Sequence, residues 1–190
     1  MQWRNTADRY GLIGQALHWL VAIGIVAQYL LAEAAEESKA GAVEPLGATG
    51  IHMALGVAIL ALATLRVAWR LIELPPERPL AMKPYEIAIA RVAHVAFYVL
   101  LFAIPLSGWA LATASDQGLT FLGWFDLPQF HPLNLRKDQL AEVHEVLFNL
   151  LVALAAVHVA AALKHQLIDR DNVLHSMLPW WPRPRAQKIR

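Results

Sequence analysis

Histidines are the residues of this sequence with the greatest capacity for chemistry. The 190-residue chain contains 8 His and no Cys, which excludes thiolate metal sites, iron–sulfur clusters and covalent haem attachment. An ionisable side chain inside hydrocarbon is costly unless it faces a bundle interior and has a partner, so histidines in long apolar stretches are functional candidates. Those candidates are His18, His52, His94, His144 and His158.

The most informative spacing is that of His144 and His158, which lie fourteen residues apart in one apolar stretch. At about 100° per residue, fourteen residues come within roughly 40° of whole turns, and the rise is about 21 Å. The two side chains therefore share a helix face at opposite membrane depths. Such a helix can ligate two planar cofactors, stacked along the membrane normal inside a four-helix bundle, from one side.

Membrane depth predicts the opposite ligands. His52 and His144 both lie about one turn inside their spans at one end of the bundle, which we call the outer end. His18 lies at the depth of His158 at the other, inner end. His94 has a similar inner depth, so depth alone leaves it as an alternative partner of His158.

A single histidine in a span could simply be hydrogen-bonded between helices, but four at two matched depths favour a cofactor site. Zinc or copper is the next alternative to haem. Such sites gather their ligands at one depth, usually with carboxylates or thiolates, and no Asp or Glu lies deep in any apolar stretch. Two bis-histidine haems therefore fit the pattern better. Gly14, Gly24 and Gly56 would either leave room for a macrocycle or allow close helix packing.

Haem propionates need cationic partners, and Arg suits them through bidentate hydrogen bonding. Arg66 stands fourteen residues after His52, on the same helix face and at the inner end, and Arg70 follows one turn later. Both also fit a positively charged membrane anchor that reaches the headgroups, Arg70 more than Arg66, so Arg66 is the stronger propionate candidate.

Four elements must position these residues. The chain is 57% hydrophobic and only 16% charged, with a mean hydropathy of +0.42, and a membrane helix needs roughly 20 apolar residues. We therefore predict an all-α, integral membrane four-helix bundle that forms a single domain over residues 1–190. The predicted spans cover residues 12–32, 47–72, 87–113 and 140–168, followed by a short tail, 169–190.

Lys and Arg predict the orientation, because cytoplasmic loops are enriched in both. Thirteen of the 16 lie at the inner end, and only Lys39, Arg136 and Lys137 lie at the outer end. Both termini are thus predicted to be cytoplasmic. The net charge of +1 gives no reason to expect a nucleic-acid partner.

The sequence resembles the bacterial cytochrome b561 family over nearly its whole length. The resemblance implies a multi-pass, inner-membrane electron-transfer protein with two b haems, held by His18 with His158 and by His52 with His144. It implies that His94 is a non-ligand near the inner haem. The matching segments are Arg9-Tyr10, Leu17–Leu20, Ile51–Gly56, Leu65–Arg70, Ala93-His94 through Tyr98, Pro105–Trp109, His144, His158, Lys164–Asp171 and Met177–Pro179.

The resemblance further suggests an oxidoreductase of the superoxide:ubiquinone type. Arg136 and Lys137 form a small cationic patch near His144 that would either attract an anion such as superoxide by electrostatic steering or be only a solvated loop end before a helix. Ubiquinone would collect the electrons at the membrane, among the lipids that surround the helices.

Quinone carbonyls need hydrogen-bond donors near a haem edge. His165 lies seven residues after His158, on nearly the same face and about 10 Å closer to the cytoplasm. His94 is the other candidate donor. Asp169 and Asp171 could relay protons to His165.

Two further functions compete with this interpretation. The chain could be a cytochrome b anchor subunit that passes electrons between a periplasmic dehydrogenase or hydrogenase and quinone. It could also be a non-redox membrane scaffold or transporter whose histidines bind metal or protons.

Overall fold

Four long helices dominate the chain. The computed structural model describes residues 2–38, 45–77, 82–115, 118–130, 135–171 and 173–178, so Lys39, Arg78 and most of the predicted tail lie outside the described residues. The elements are α1 (Leu12–Ser38), α2 (Ala48–Ile72), α3 (Pro84–Ala114), β1 (Leu119–Phe121), β2 (Phe125–Leu127) and α4 (Lys137–Lys164). A π-helical turn over His165–Asp169 continues α4, and a 3-10 turn covers His175–Met177.

All four helices are long and apolar enough to cross a membrane, which confirms the predicted four-span bundle. Helix α2 has nearly the predicted bounds. Helix α1 is longer than the predicted span and continues to Ser38, because the acidic residues after Ala32 are compatible with helix outside the hydrocarbon layer.

Helices α3 and α4 both begin three residues before the predicted spans, because side chains cap them. The Lys83 main-chain N–H donates to Glu86 Oε2 at 2.9 Å, and the Arg136 main-chain N–H donates to Gln139 Oε1 at 3.0 Å. Pro84 also suits the first turn of α3, where no main-chain donor is required. Hydropathy alone does not predict these first turns, because their residues are partly polar.

The link between α3 and α4 contains a small hairpin, which the all-α prediction did not include. Strands β1 and β2 pair antiparallel, with Phe121 opposite Phe125. Leu122 and Gly123 both have positive φ, 52° and 77°, as a type I′ turn requires. The Trp109 indole N–H donates to the Pro128 carbonyl at 2.9 Å and joins this link to α3.

The helices pack in chain order, α1 on α2, α2 on α3 and α3 on α4. Val21, Ile59, Ala63 and Leu101 form a buried apolar cluster between the first three. An added Cβ at Gly24 would lie 3.2 Å from the Ile59 side chain. Gly24 therefore allows α1 and α2 to approach closely. Of the two predicted roles, this contact favours helix packing.

The sides of the bundle, which face away from the other helices, are apolar. Large side chains with more than half of their area exposed include Ile23, Leu71, Val92 and Val157. Such a surface suits lipid, in which exposed apolar side chains carry no penalty.

The first and last described segments meet at the inner end. The Gln15 side-chain amide donates to the Ser176 carbonyl at 3.0 Å, and the Trp19 indole N–H donates to the Met177 carbonyl at 2.9 Å. Arg4 forms an ion pair with the buried Glu73 at the end of α2. Residues 2–11 and 173–178 thus close this end together.

Candidate functional site

The outer histidine pair joins α2 to α4. The ring centroids of His52 and His144 lie 6.4 Å apart, with their planes at 72°. Both side chains are half-buried. The structure thus brings together the two histidines predicted to meet at the outer end.

The inner pair joins α1 to α4. The ring centroids of His18 and His158 also lie 6.4 Å apart, with their planes at 62°. His94 lies 5.9 Å from His158, measured the same way, and is more exposed than His18. Three histidines therefore gather at the inner end, as their depths predicted.

Both pairs have the separation that a bis-histidine metal centre requires. A metal–imidazole bond is about 2.0–2.1 Å, and the ring centroid lies roughly 1.1 Å behind the ligating nitrogen, so two opposed ligands place their centroids about 6.3 Å apart. Both separations of 6.4 Å match this value. The donor set is neutral imidazole, which suits haem iron. The residues present therefore fit haem at both ends.

Arginines accompany the inner histidines. The Arg66 guanidinium is close enough to interact electrostatically with the rings of His18 and His158, and Arg70 interacts with His94. Arg66 is half-buried, whereas Arg70 is exposed. Of the two arginines, Arg66 thus has the better placement for a propionate.

Two residues beside His144 had no predicted role. Ser107 Oγ lies 2.9 Å from His144 Nδ1, and a Cβ at Gly108 would lie 3.0 Å from His144 Cε1. Both belong to the Pro105–Trp109 segment that carries the family resemblance. Their contact with His144 crosses from α3 to α4, so spacing within one helix could not reveal it.

A polar cleft lies at the inner end, beyond the histidine pair. His165 Nδ1 lies 2.6 Å from Asp171 Oδ2 and 3.2 Å from Asp169 Oδ2. The Lys164 ammonium contacts Asp169 Oδ2 at 2.8 Å and Glu86 Oε1 at 2.5 Å. The cleft is lined by Met82, Lys83, Glu86, Lys164, His165, Asp169 and Asp171.

This cleft connects the residues predicted to handle protons. His165 is buried, and its ring is hydrogen-bonded to Asp171. The ligand atoms of His165, Asp169 and Asp171 lie within 4.8 Å of one another, close enough for a metal ion. The Lys164 ammonium already balances Asp169, however, which favours an ion-pair network over a cation site.

The outer cationic patch is weaker than predicted. Arg136 donates to Asp138 Oδ2 at 2.7 Å, and both side chains are exposed. Lys137 is the first residue of α4 and is also exposed. The positive end of the helix dipole adds to Lys137, whereas Asp138 offsets much of the charge of Arg136.

Comparison with known proteins identifies the class. The family model described as prokaryotic cytochrome b561 matches residues 9–180. Cytochrome b561 homolog 2 of Escherichia coli (strain K12) is 34% identical over 179 residues, which cover 94% of this chain and 95% of that protein. A Yersinia pestis protein named "Probable superoxide oxidase CybB" is 32% identical over 133 residues, which cover 68% of this chain and 73% of that one.

A four-span helical membrane bundle with histidine pairs at two depths has the architecture of a membrane cytochrome b. The chain belongs to the prokaryotic cytochrome b561 family. It is accordingly a haem b protein of the bacterial inner membrane that takes part in electron transfer. The family resemblance predicted from the sequence is thereby confirmed.

Proposed function

We propose that the chain is a single domain that binds two b haems and carries electrons from superoxide, at a periplasmic outer end, to ubiquinone near the inner end. His52 and His144 would hold one haem, and His18 and His158 the other. One observation carries the proposal. Two histidines of α4 each face a histidine of another helix, with the same 6.4 Å between ring centroids in both pairs. The lysine and arginine distribution supports cytoplasmic termini.

The ligands determine the kind of chemistry. With two histidines holding each haem, the group would supply outer-sphere electron transfer rather than oxygen activation. The protein's part is to hold the rings at fixed positions and to balance charge. Arg66 would pair with a propionate of the inner haem, and Arg70 would provide positive charge further out.

Two features support an anionic donor at the outer end. Lys137 and the N-terminus of α4 are both positive, and Arg136 lies beside them. The Yersinia relative is named "Probable superoxide oxidase CybB". Two superoxide anions would each lose one electron and leave as dioxygen, and one quinone would take up two electrons and two protons.

The inner cleft supports a quinone site. A carboxylate at His165 Nδ1, here that of Asp171, holds the ring in a fixed orientation. That ring can then donate a proton from Nε2 to a quinone carbonyl. Asp169 and Lys164 would connect the site to the water side. His94, which is exposed near His158, remains the second candidate donor.

Stopped-flow mixing tests the proposal. Oxidised protein in detergent is mixed with superoxide, haem reduction is followed by visible absorption, and a soluble ubiquinone analogue is then added. We expect rapid reduction that slows with ionic strength, as steering requires, followed by reoxidation. His144→Ala, which should lack the outer haem, is the matched control.

The same experiment separates the competing function. An anchor subunit would be reduced by a periplasmic dehydrogenase or hydrogenase and would show no superoxide reduction beyond that of the His144→Ala control. That result would overturn superoxide as donor and leave electron transfer to quinone intact.

A further inference from the structure

The outer haem ligand His144 is held from α3 by a hydroxyl group. Ser107 Oγ lies 2.9 Å from His144 Nδ1, and the Ser107 hydroxyl donates to the Ile104 main-chain carbonyl at 2.8 Å. Since a hydroxyl has one proton, Ser107 Oγ can only accept from His144. The proton of the neutral ring therefore lies on Nδ1, and Nε2 keeps its lone pair.

Helix α3 approaches His144 closely at this point. A glycine at position 108 permits the close approach, because a Cβ there would lie 3.0 Å from His144 Cε1.

The opposite ligand has no such support. His52 Nδ1 is buried and makes no hydrogen bond with any residue that the structure describes. The Gln28 main-chain carbonyl is near the His52 ring without reaching hydrogen-bonding geometry. The two proposed ligands of the outer haem therefore differ at Nδ1, which has a hydrogen-bond partner in His144 and none among the described residues in His52.

We infer that Ser107 is a positioning residue that fixes the Nε2-ligating tautomer of His144 and lowers the reduction potential of the outer haem. A hydrogen bond accepted from Nδ1–H increases the basicity of the ligating nitrogen. A more basic ligand stabilises ferric over ferrous iron. This inference rests on the proposed ligation by His144.

Redox titration of the purified holoprotein, with visible spectra resolved into two components, tests the inference. Ser107→Ala should retain two haems and raise one midpoint potential while the other stays unchanged. The affected component should be the one that is lost in His144→Ala. Ser107→Thr, which keeps the hydroxyl, should restore the wild-type value.

Ser115→Ala is the matched control, because the hydroxyl of Ser115, the residue after α3, also donates to a helix carbonyl, that of Leu111 at 2.7 Å, and has no hydrogen bond to a histidine among the described residues. Unchanged potentials in Ser107→Ala with two haems bound would overturn the inference and leave the proposed function standing. A shift of equal size in Ser107→Thr or Ser115→Ala would assign the effect to packing and also overturn it. Fewer than two haems in the wild-type protein would instead overturn the proposed function.

Discussion

The two ends of the bundle surround similar histidine pairs with different chemistry. At the outer end His144 is hydrogen-bonded to a neutral hydroxyl on α3. At the inner end His18 and His158 have no side-chain hydrogen bond within the described part of the chain, and Arg66 and a third histidine lie beside them. The two pairs thus have equal ring separations, but the outer pair is surrounded by a hydrogen-bonding group and the inner pair by a positive charge.

This difference suits a directional relay. A hydrogen bond to the ligand lowers a haem potential, whereas a nearby cation stabilises the reduced, less positive iron and raises it. On the proposed function, electrons would therefore move toward the end that carries Arg66. The inner end also has the polar cleft, where proton uptake can accompany quinone reduction.

The largest expected effect comes from removing the ligands. His52→Ala or His144→Ala should remove the outer haem and reduce the haem content from about two to about one per chain, because each iron would lose an axial ligand. His18→Ala or His158→Ala should remove the inner haem instead. Spectra and haem assays of the purified variants check this.

A variant of His94 tests which histidine is the partner of His158 at the inner end. His94→Ala should retain both haems, because the 6.4 Å separation of His18 and His158 already matches opposed ligation. Loss of the inner haem in His94→Ala, with retention in His18→Ala, would instead identify His94 as the ligand.

The next largest effect is expected on the rate of haem reoxidation by quinone, when residues at the inner end are changed. His165→Leu should slow haem reoxidation by quinone on the order of 10²-fold, because it removes the proposed proton donor, while the haem spectrum stays unchanged. His94→Leu tests the second donor in the same assay. His175→Leu, outside the residues lining the cleft, is the control, and wild-type rates in both His165→Leu and His94→Leu would place the quinone elsewhere.

Arg66 should have a moderate effect that the outer end does not share. Arg66→Leu should lower the inner haem potential by on the order of 60 mV, equivalent to a tenfold change in a one-electron equilibrium. Arg66→Lys keeps the charge and should shift it less. The exposed Arg70→Leu removes a charge further from the histidine pair and should shift the same potential less than Arg66→Leu does, and a shift confined to the outer haem would contradict the assignment.

The smallest expected effect concerns the closure of the inner end. Trp19→Phe removes the hydrogen bond to the Met177 carbonyl and should cost about 1 kcal/mol in the free energy of unfolding. A thermal melt followed by haem absorption measures this. Trp109→Phe, which removes the equivalent bond to Pro128 at the outer end, provides the comparison between the two ends.

The sequence predicted the helices and the meeting of the histidines because both follow from the position of each residue along its own helix. Hydropathy defines four spans, and the 14-residue spacing places His144 and His158 on one face. Contacts that depend on how the helices rotate about their axes, or on side-chain rotamers, were not predictable in this way. Ser107 meets His144 from another helix, and Asp138 pairs with Arg136 at the start of α4 and reduces a patch that looked more positive in the sequence.

Haem stoichiometry tests the central claim most directly. A pyridine haemochrome assay on the purified protein, normalised to protein by amino-acid analysis, counts non-covalent b haem per chain, and low-temperature spectra report the ligation of each. The two pairs of histidines predict two haems per chain, both low-spin with two histidine ligands. A value of one haem per chain, or a high-spin signal from half of the haem, would contradict the pairing of His52 with His144 and of His18 with His158.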